Sequence, residues 1–167
     1  MGFFDFLTST RRPEKGTPVL RADEVRARLL AVNRDTAPWR IVEGKGDGED
    51  LVAEWRIVDA KWYEIFAKAG LKKVFRISMT IDSATHEVQA LDHEYTLEWS
   101  AGVPQMTLAA KAFRGQQQSV ELGTAVAFTE NLRPGVVYNY KLSTKELKEP
   151  IQEAVTACGW TYKGKVL

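Results

Sequence analysis

One arrangement recurs in this chain and constrains its fold more than any other feature: strand, turn, strand, helix, closing glycine, strand. It runs from Trp39 to about Thr80 and again from about Ala125 to Leu167. In the first copy Trp39, Ile41 and Glu43 alternate with Arg40 and Val42, and the turn Gly44-Lys45-Gly46-Asp47-Gly48-Glu49-Asp50 follows. Leu51, Ala53, Trp55 and Ile57 then share one face of a strand, with Glu54 and Arg56 on the other. Such period-two alternation means one buried and one wet face. Asp59 is placed to cap a helix whose apolar residues Trp62, Ile65, Phe66 and Ala69 fall at helical spacing, and Gly70 sits where a helix takes a left-handed closing residue. Phe75, Ile77, Met79 and Ile81 alternate with Arg76, Ser78 and Thr80 as the third strand.

In the second copy Ala125 to Thr129 is a short strand, Asn131 to Gly135 a turn, and Val136 or Val137 to Leu142 a strand with Tyr138, Tyr140 and Leu142 on one face. Pro150 suits the first turn of a helix, where its missing N–H costs nothing. Ile151, Ala154, Val155 and Cys158 form its apolar stripe, Gly159 closes it, and Trp160, Tyr162 and Val166 alternate with Thr161, Lys163 and Lys165. The match is of pattern rather than of residues, and Lys145 to Glu149 are extra residues ahead of the second helix. Two readings fit: a true duplication with a pseudo-twofold axis, and chance recurrence of an order common in α+β proteins.

Elsewhere, a helix opens near Asp23, faces Val25, Leu29, Leu30 and Val32 to the core, and closes at Asn33. The centre is β-rich: a strand from Val88, with a bulge at Ala90-Leu91, continues through Tyr95, Leu97 and Trp99, and another carries Met106, Leu108 and Ala110. The expected fold class is therefore α+β: a single domain over residues 19–167, with a mostly antiparallel, curved sheet of about eight strands and three helices. Residues 1–18 read as an apolar N-terminal segment followed by a polar linker, mobile over residues 8–18. Core positions are expected at Trp39, Trp55, Ile77, Met79, Leu97, Trp99, Tyr138, Tyr140, Phe66 and Val155.

A chain of 167 residues with 23 basic and 22 acidic side chains offers no field that would steer it to nucleic acid. Its single cysteine, Cys158, falls on an apolar helix face and reads as a small buried hydrophobe in a reducing compartment. No apolar run approaches the ~20 residues of a membrane span, and the N-terminus lacks the pattern of a signal peptide. Together these point to a cytoplasmic protein, with attachment to the inner face of a membrane as an option.

Catalytic signatures are missing from the sequence: it shows no nucleophile beside a base, no metal-ligand spacing and no nucleotide loop. Gly44 to Gly48 lies between two strands, whereas a phosphate loop leads into a helix. His86, Asp92, His93 and Glu94 are the first suspects for an enzyme or metal site, yet His86 and His93 are seven apart and fall on opposite faces of a regular strand. No cofactor is expected. The N-terminal residues Phe3, Phe4, Phe6 and Leu7, trailed by Arg11 and Arg12, look like an attachment element for a membrane surface or a partner protein, with packing onto their own domain or onto a second copy of the chain as alternatives. The expected function is that of a non-enzymatic binding or interaction protein.

Overall fold

The computed structural model describes residues 9–34, 37–46, 48–56, 73–100, 103–108, 114–115, 128–129, 139–140 and 144–165. Among them are two helices, α1 (Ala22–Leu30) and α2 (Thr144–Ala157). The strands are β1 (Trp39–Glu43), β2 (Leu51–Trp55), β3 (Lys73–Asp82), β4 (Glu87–Ser100), β5 (Val103–Leu108), β6 (Arg114–Gly115), β7 (Phe128–Thr129), β8 (Asn139–Tyr140) and β9 (Thr161–Gly164). The architecture is α+β around one open, mainly antiparallel sheet, whose continuous path is β1-β2-β3-β4-β5.

The hairpin β3–β4 is the spine. Its turn is closed by Asp82, whose Oδ1 accepts from the Ala84 N–H at 3.0 Å, with His86 at φ 53° on the far side. Pairing then runs without interruption from Asp82↔Glu87 to Lys73↔Thr96. The bulge expected at Ala90-Leu91 is not there, because Ala90 and Leu91 pair in register with Met79 and Ser78. The other edge of β4 is divided among three partners. β9 pairs parallel to Glu87–Ala90, β6 antiparallel to Asp92 and His93, and β5 antiparallel to Tyr95–Ser100.

Alternation in β1 to β4 puts Trp39, Ile41, Leu51, Ala53, Trp55, Ile77, Met79, Val88 and Ala90 into one core with Val25 and Leu29 of α1 and Leu147, Ile151 and Val155 of α2. Fully burying a side chain such as Ile77 or Leu29 contributes about 1.5–3 kcal/mol before ordering costs. The outermost strand, β1, is capped on its free edge by Asn33: its Nδ2 donates to the Ile41 carbonyl at 2.8 Å and its Oδ1 accepts from the Ile41 N–H at 2.6 Å. A side-chain amide thus stands in for a neighbouring strand, one way of blunting an exposed edge.

Several expectations are corrected. Among the described residues the sheet path has five strands, with β6 and β9 added on β4 to make seven, and there are two helices, where about eight strands and three helices were expected. The helix expected from Asp59 to Ala69 lies outside those residues. The pseudo-twofold repeat fails on strand pairing. In the first unit β1, β2 and β3 are consecutive antiparallel neighbours, whereas β9 lies parallel to β4 and β8 pairs with β7 in a separate two-stranded sheet. Period-two alternation reports one buried face; it does not encode which strand lies alongside. Pro150 is inside α2, which begins at Thr144, so the supposed extra residues Lys145–Glu149 are the first turns of the helix. Within the expected linker, residues 9–11 are paired with the domain. Arg11 and Tyr162 exchange backbone hydrogen bonds of 2.9 Å, Thr10 is 1% exposed, and its Oγ1 accepts from the Gly164 N–H at 3.1 Å. Ser9–Arg11 is thus a strap along the free edge of β9. Of the expected core residues, Trp39, Trp55, Ile77, Met79 and Val155 are buried; Phe66 and Tyr138 lie outside the described residues.

Candidate functional site

Because β3 and β4 are paired residue by residue, their side chains sort into two faces by parity alone. One face carries the cross-strand pairs Ile77–Asp92, Met79–Ala90 and Ile81–Val88; the other carries Arg76–His93, Ser78–Leu91 and Thr80–Gln89. The first packs against the helices. The second forms the floor of a trough of about 500 Å³.

The walls come from elsewhere in the chain. On one side the β1–β2 loop folds against β3: the Asp50 N–H donates to the Met79 carbonyl at 2.8 Å, and Asp50 Oδ2 accepts from the Ile81 N–H at 2.7 Å. The Thr80 hydroxyl donates to the Gly48 carbonyl at 3.0 Å, at a glycine whose φ of +87° disfavours any side chain. This pins Lys45, Gly48 and Glu49 at the rim. Opposite, Lys165 leaves the end of β9 with its N–H donating to the Ala90 carbonyl at 2.8 Å. Three basic side chains, Lys45, Arg76 and Lys165, therefore border the trough against one carboxylate, Glu49.

Arg76 is the most constrained of them. Its Nη1 donates to the Tyr95 hydroxyl at 3.1 Å, and its guanidinium carbon lies 5.4 Å from the centre of that ring. Its Nε is shielded from solvent and has no hydrogen-bond acceptor. Among the described residues no carboxylate forms an ion pair with it, in contrast to Arg40, whose guanidinium meets Glu54 at 3.0 Å on the neighbouring hairpin. A half-buried guanidinium held by a neutral phenol keeps donor capacity for something else.

The opposite face holds the most deeply buried charges. Asp92, 0% exposed, receives the Lys148 ammonium of α2 at 2.6 Å. Lys148 Nζ also reaches the Ser9 hydroxyl at 3.4 Å, and Gln152, one turn on, donates to the Ser9 carbonyl at 2.8 Å. Burial pulls the Lys148 ammonium below its usual titration range despite the attraction of Asp92. Beside them the Tyr162 hydroxyl is fully buried without a hydrogen-bond partner, and burial, reinforced by the Asp92 charge, pushes its ionisation well above the ordinary tyrosine range. This cluster ties β4, α2, β9 and the strap together, which is an architectural role.

The residues suspected from sequence do not converge. His86 is exposed on the β3–β4 turn, its ring 5.4 Å from that of Trp160 and tilted by 55°. Asp92 points into the core, and by parity His93 falls on the trough side and Glu94 on the Asp92 side. Among the described residues no three histidine, cysteine or acidic side chains are grouped as metal ligands. Cys158 is buried, and desolvation raises its thiol. Phe3, Phe4, Phe6 and Leu7 lie outside the described residues. Arg11 and Arg12 are exposed and line a second groove of about 430 Å³ with Glu149 and Glu153 of α2.

Sequence reasoning missed Arg76, Lys148 and Gln152. The signal for the last two was present: stepping the Ile151–Val155 stripe back by one turn brings Leu147 and Lys148 onto the buried face. From the sequence alone Arg76 is only the polar phase of a strand.

No protein-family model, no curated protein and no solved structure matches this chain. No helix among the described residues is long and apolar enough to cross a membrane.

Proposed function

We propose that this chain is a non-enzymatic binding protein that receives a small-molecule ligand in the trough on the outer face of β3 and β4. One observation carries the reading: a concavity of about 500 Å³, within the size range of small-molecule sites, whose floor is polar and whose cations outnumber its carboxylates. The buried Asp92–Lys148 pair, by contrast, is engaged in holding the fold. The site needs no chemistry from His86, Asp92 and Glu94, which lie on a turn or on the opposite face of the sheet; of the four, His93 alone lines the trough. The test is a thermal-shift screen of small molecules on the full chain. A ligand at a hundred times its Kd raises the melting temperature by about 5–10 °C for a domain of this size. That shift disappears in Ser78→Trp, which fills the trough floor. Stabilisers that act equally on Ser78→Trp would place the binding elsewhere.

A second reading concerns the N-terminal segment. Ser9–Arg11 is clamped to β9, which anchors the chain just after the Phe3, Phe4, Phe6 and Leu7 sequence and sets the exposed Arg11 and Arg12 at that anchor. That supports their use as a short-tethered attachment to a membrane surface or partner protein. Replacing the three phenylalanines with serine abolishes liposome co-sedimentation on this reading and leaves the melting temperature unchanged; a fall of several degrees would show that they belong to the core.

A further inference from the structure

We propose that the trough ligand carries an oxyanion, a phosphoryl or carboxylate group, and that Arg76 is the residue that holds it; this rests on the trough being the binding site. A guanidinium is held from one side by the Tyr95 hydroxyl at 3.1 Å and lies 5.4 Å from the centre of its ring. These contacts hold it from the Tyr95 side while supplying no negative charge. Its Nε has neither water access nor an acceptor. Removing a cation from water without a counter-ion is costly, so a site that keeps one half-buried is poised for an anion that arrives with the ligand.

The surroundings agree with that charge. Lys45 and Lys165, both exposed, stand on opposite rims and add long-range attraction. The Ser78 hydroxyl lies beside Arg76 on the same face of β3 and offers a further donor. Glu49 is the single carboxylate on the lining and sits at the loop rim, on the side away from β4. The planar fork of arginine matches the two oxygens of a carboxylate or a phosphoryl group with two parallel hydrogen bonds, which an ammonium does not do.

The test is amide-shift mapping by NMR on the isotopically labelled full chain, titrated at constant ionic strength with inorganic phosphate, with citrate and, as an uncharged probe, with glycerol. We expect saturable shifts centred on Arg76, Ser78, Thr80 and Gln89 for one or both anions. The stronger response distinguishes a phosphoryl from a carboxylate ligand. Arg76→Gln weakens the response at least tenfold. Lys165→Gln, a change on an exposed side chain that leaves the fold intact, weakens it about threefold, and Arg40→Gln leaves it unchanged. Shifts from glycerol but from neither anion would overturn the oxyanion assignment and keep the trough. Shifts elsewhere, or from none of the three, would overturn both.

Discussion

Replacing Lys148 with methionine isolates the strongest electrostatic element of this fold. The ammonium sits 2.6 Å from a carboxylate that is 0% exposed, and its own side chain is 6% exposed. At that distance, with an effective dielectric of about 20, the attraction is about 6 kcal/mol. Desolvation of the two ions costs several kcal/mol each, so the pair as a whole adds little net stability. The downward pull on the Lys148 ammonium, in which burial outweighs Asp92, is the same balance seen from one partner. Cutting one side is different, because Lys148→Met leaves Asp92 charged in the core. The expected loss is about 3–5 kcal/mol, or a fall in melting temperature of about 6–20 °C. Asp92→Leu combined with Lys148→Met should recover most of it and come within about 1 kcal/mol of the parent. Urea unfolding of the four proteins, followed by tryptophan fluorescence, gives the cycle directly. A loss below about 1 kcal/mol for the single variant would refute the reasoning, since it would mean that Asp92 finds solvent or another cation at no cost.

Two further outcomes follow from buried groups. Tyr162→Phe removes a hydroxyl with no hydrogen-bond partner and should be neutral or stabilising by up to about 1 kcal/mol in urea melts. The same variant tests the alkaline limb: the folded state keeps the Tyr162 proton above the ordinary value of 10.0 and the Cys158 proton above 9.0, so stability is complete below those values and falls as pH rises past them. Lys148, depressed below 10.5, acts in the opposite sense up to that pH. Tyr162→Phe should therefore flatten the decline above pH 10, and an unchanged slope would assign the decline to other groups. Gly159→Ala should cost about 2 kcal/mol or more, because φ is +75° and the new Cβ would stand 2.3 Å from the Pro18 carbonyl oxygen; a variant as stable as the parent would contradict the close approach.

What the sequence made legible was the phase of each element. Ile77 and Met79 inward with Arg76, Ser78 and Thr80 outward, Val25, Leu29 and Cys158 buried, Gly159 left-handed: each follows from a local period or a backbone requirement. Partnership was not legible. The parallel docking of β9 on β4, the division of the far edge of β4 among three strands and the strap at Ser9–Arg11 are contacts between residues distant in the chain, and no short-range pattern carries them. Pro150 misled for a related reason. Proline is most at home in a first helical turn, but here tertiary packing of Leu147 and Lys148 outweighs the one backbone hydrogen bond lost, and the helix begins six residues earlier at Thr144. The trough combines these two kinds of information. Its floor follows from the alternation of two strands, while its rims bring together Lys45 and Lys165 from distant parts of the chain.

The most direct measurement is a crystal structure of the full chain with the small molecule that stabilises it most in the thermal-shift screen. The account predicts that the molecule lies on the outer face of β3 and β4, with an oxyanion within hydrogen-bond reach of the Arg76 guanidinium and between the Lys45 and Lys165 rims. A ligand seated in the groove between the strap and α2, or one that leaves Arg76 without a new acceptor, would contradict it.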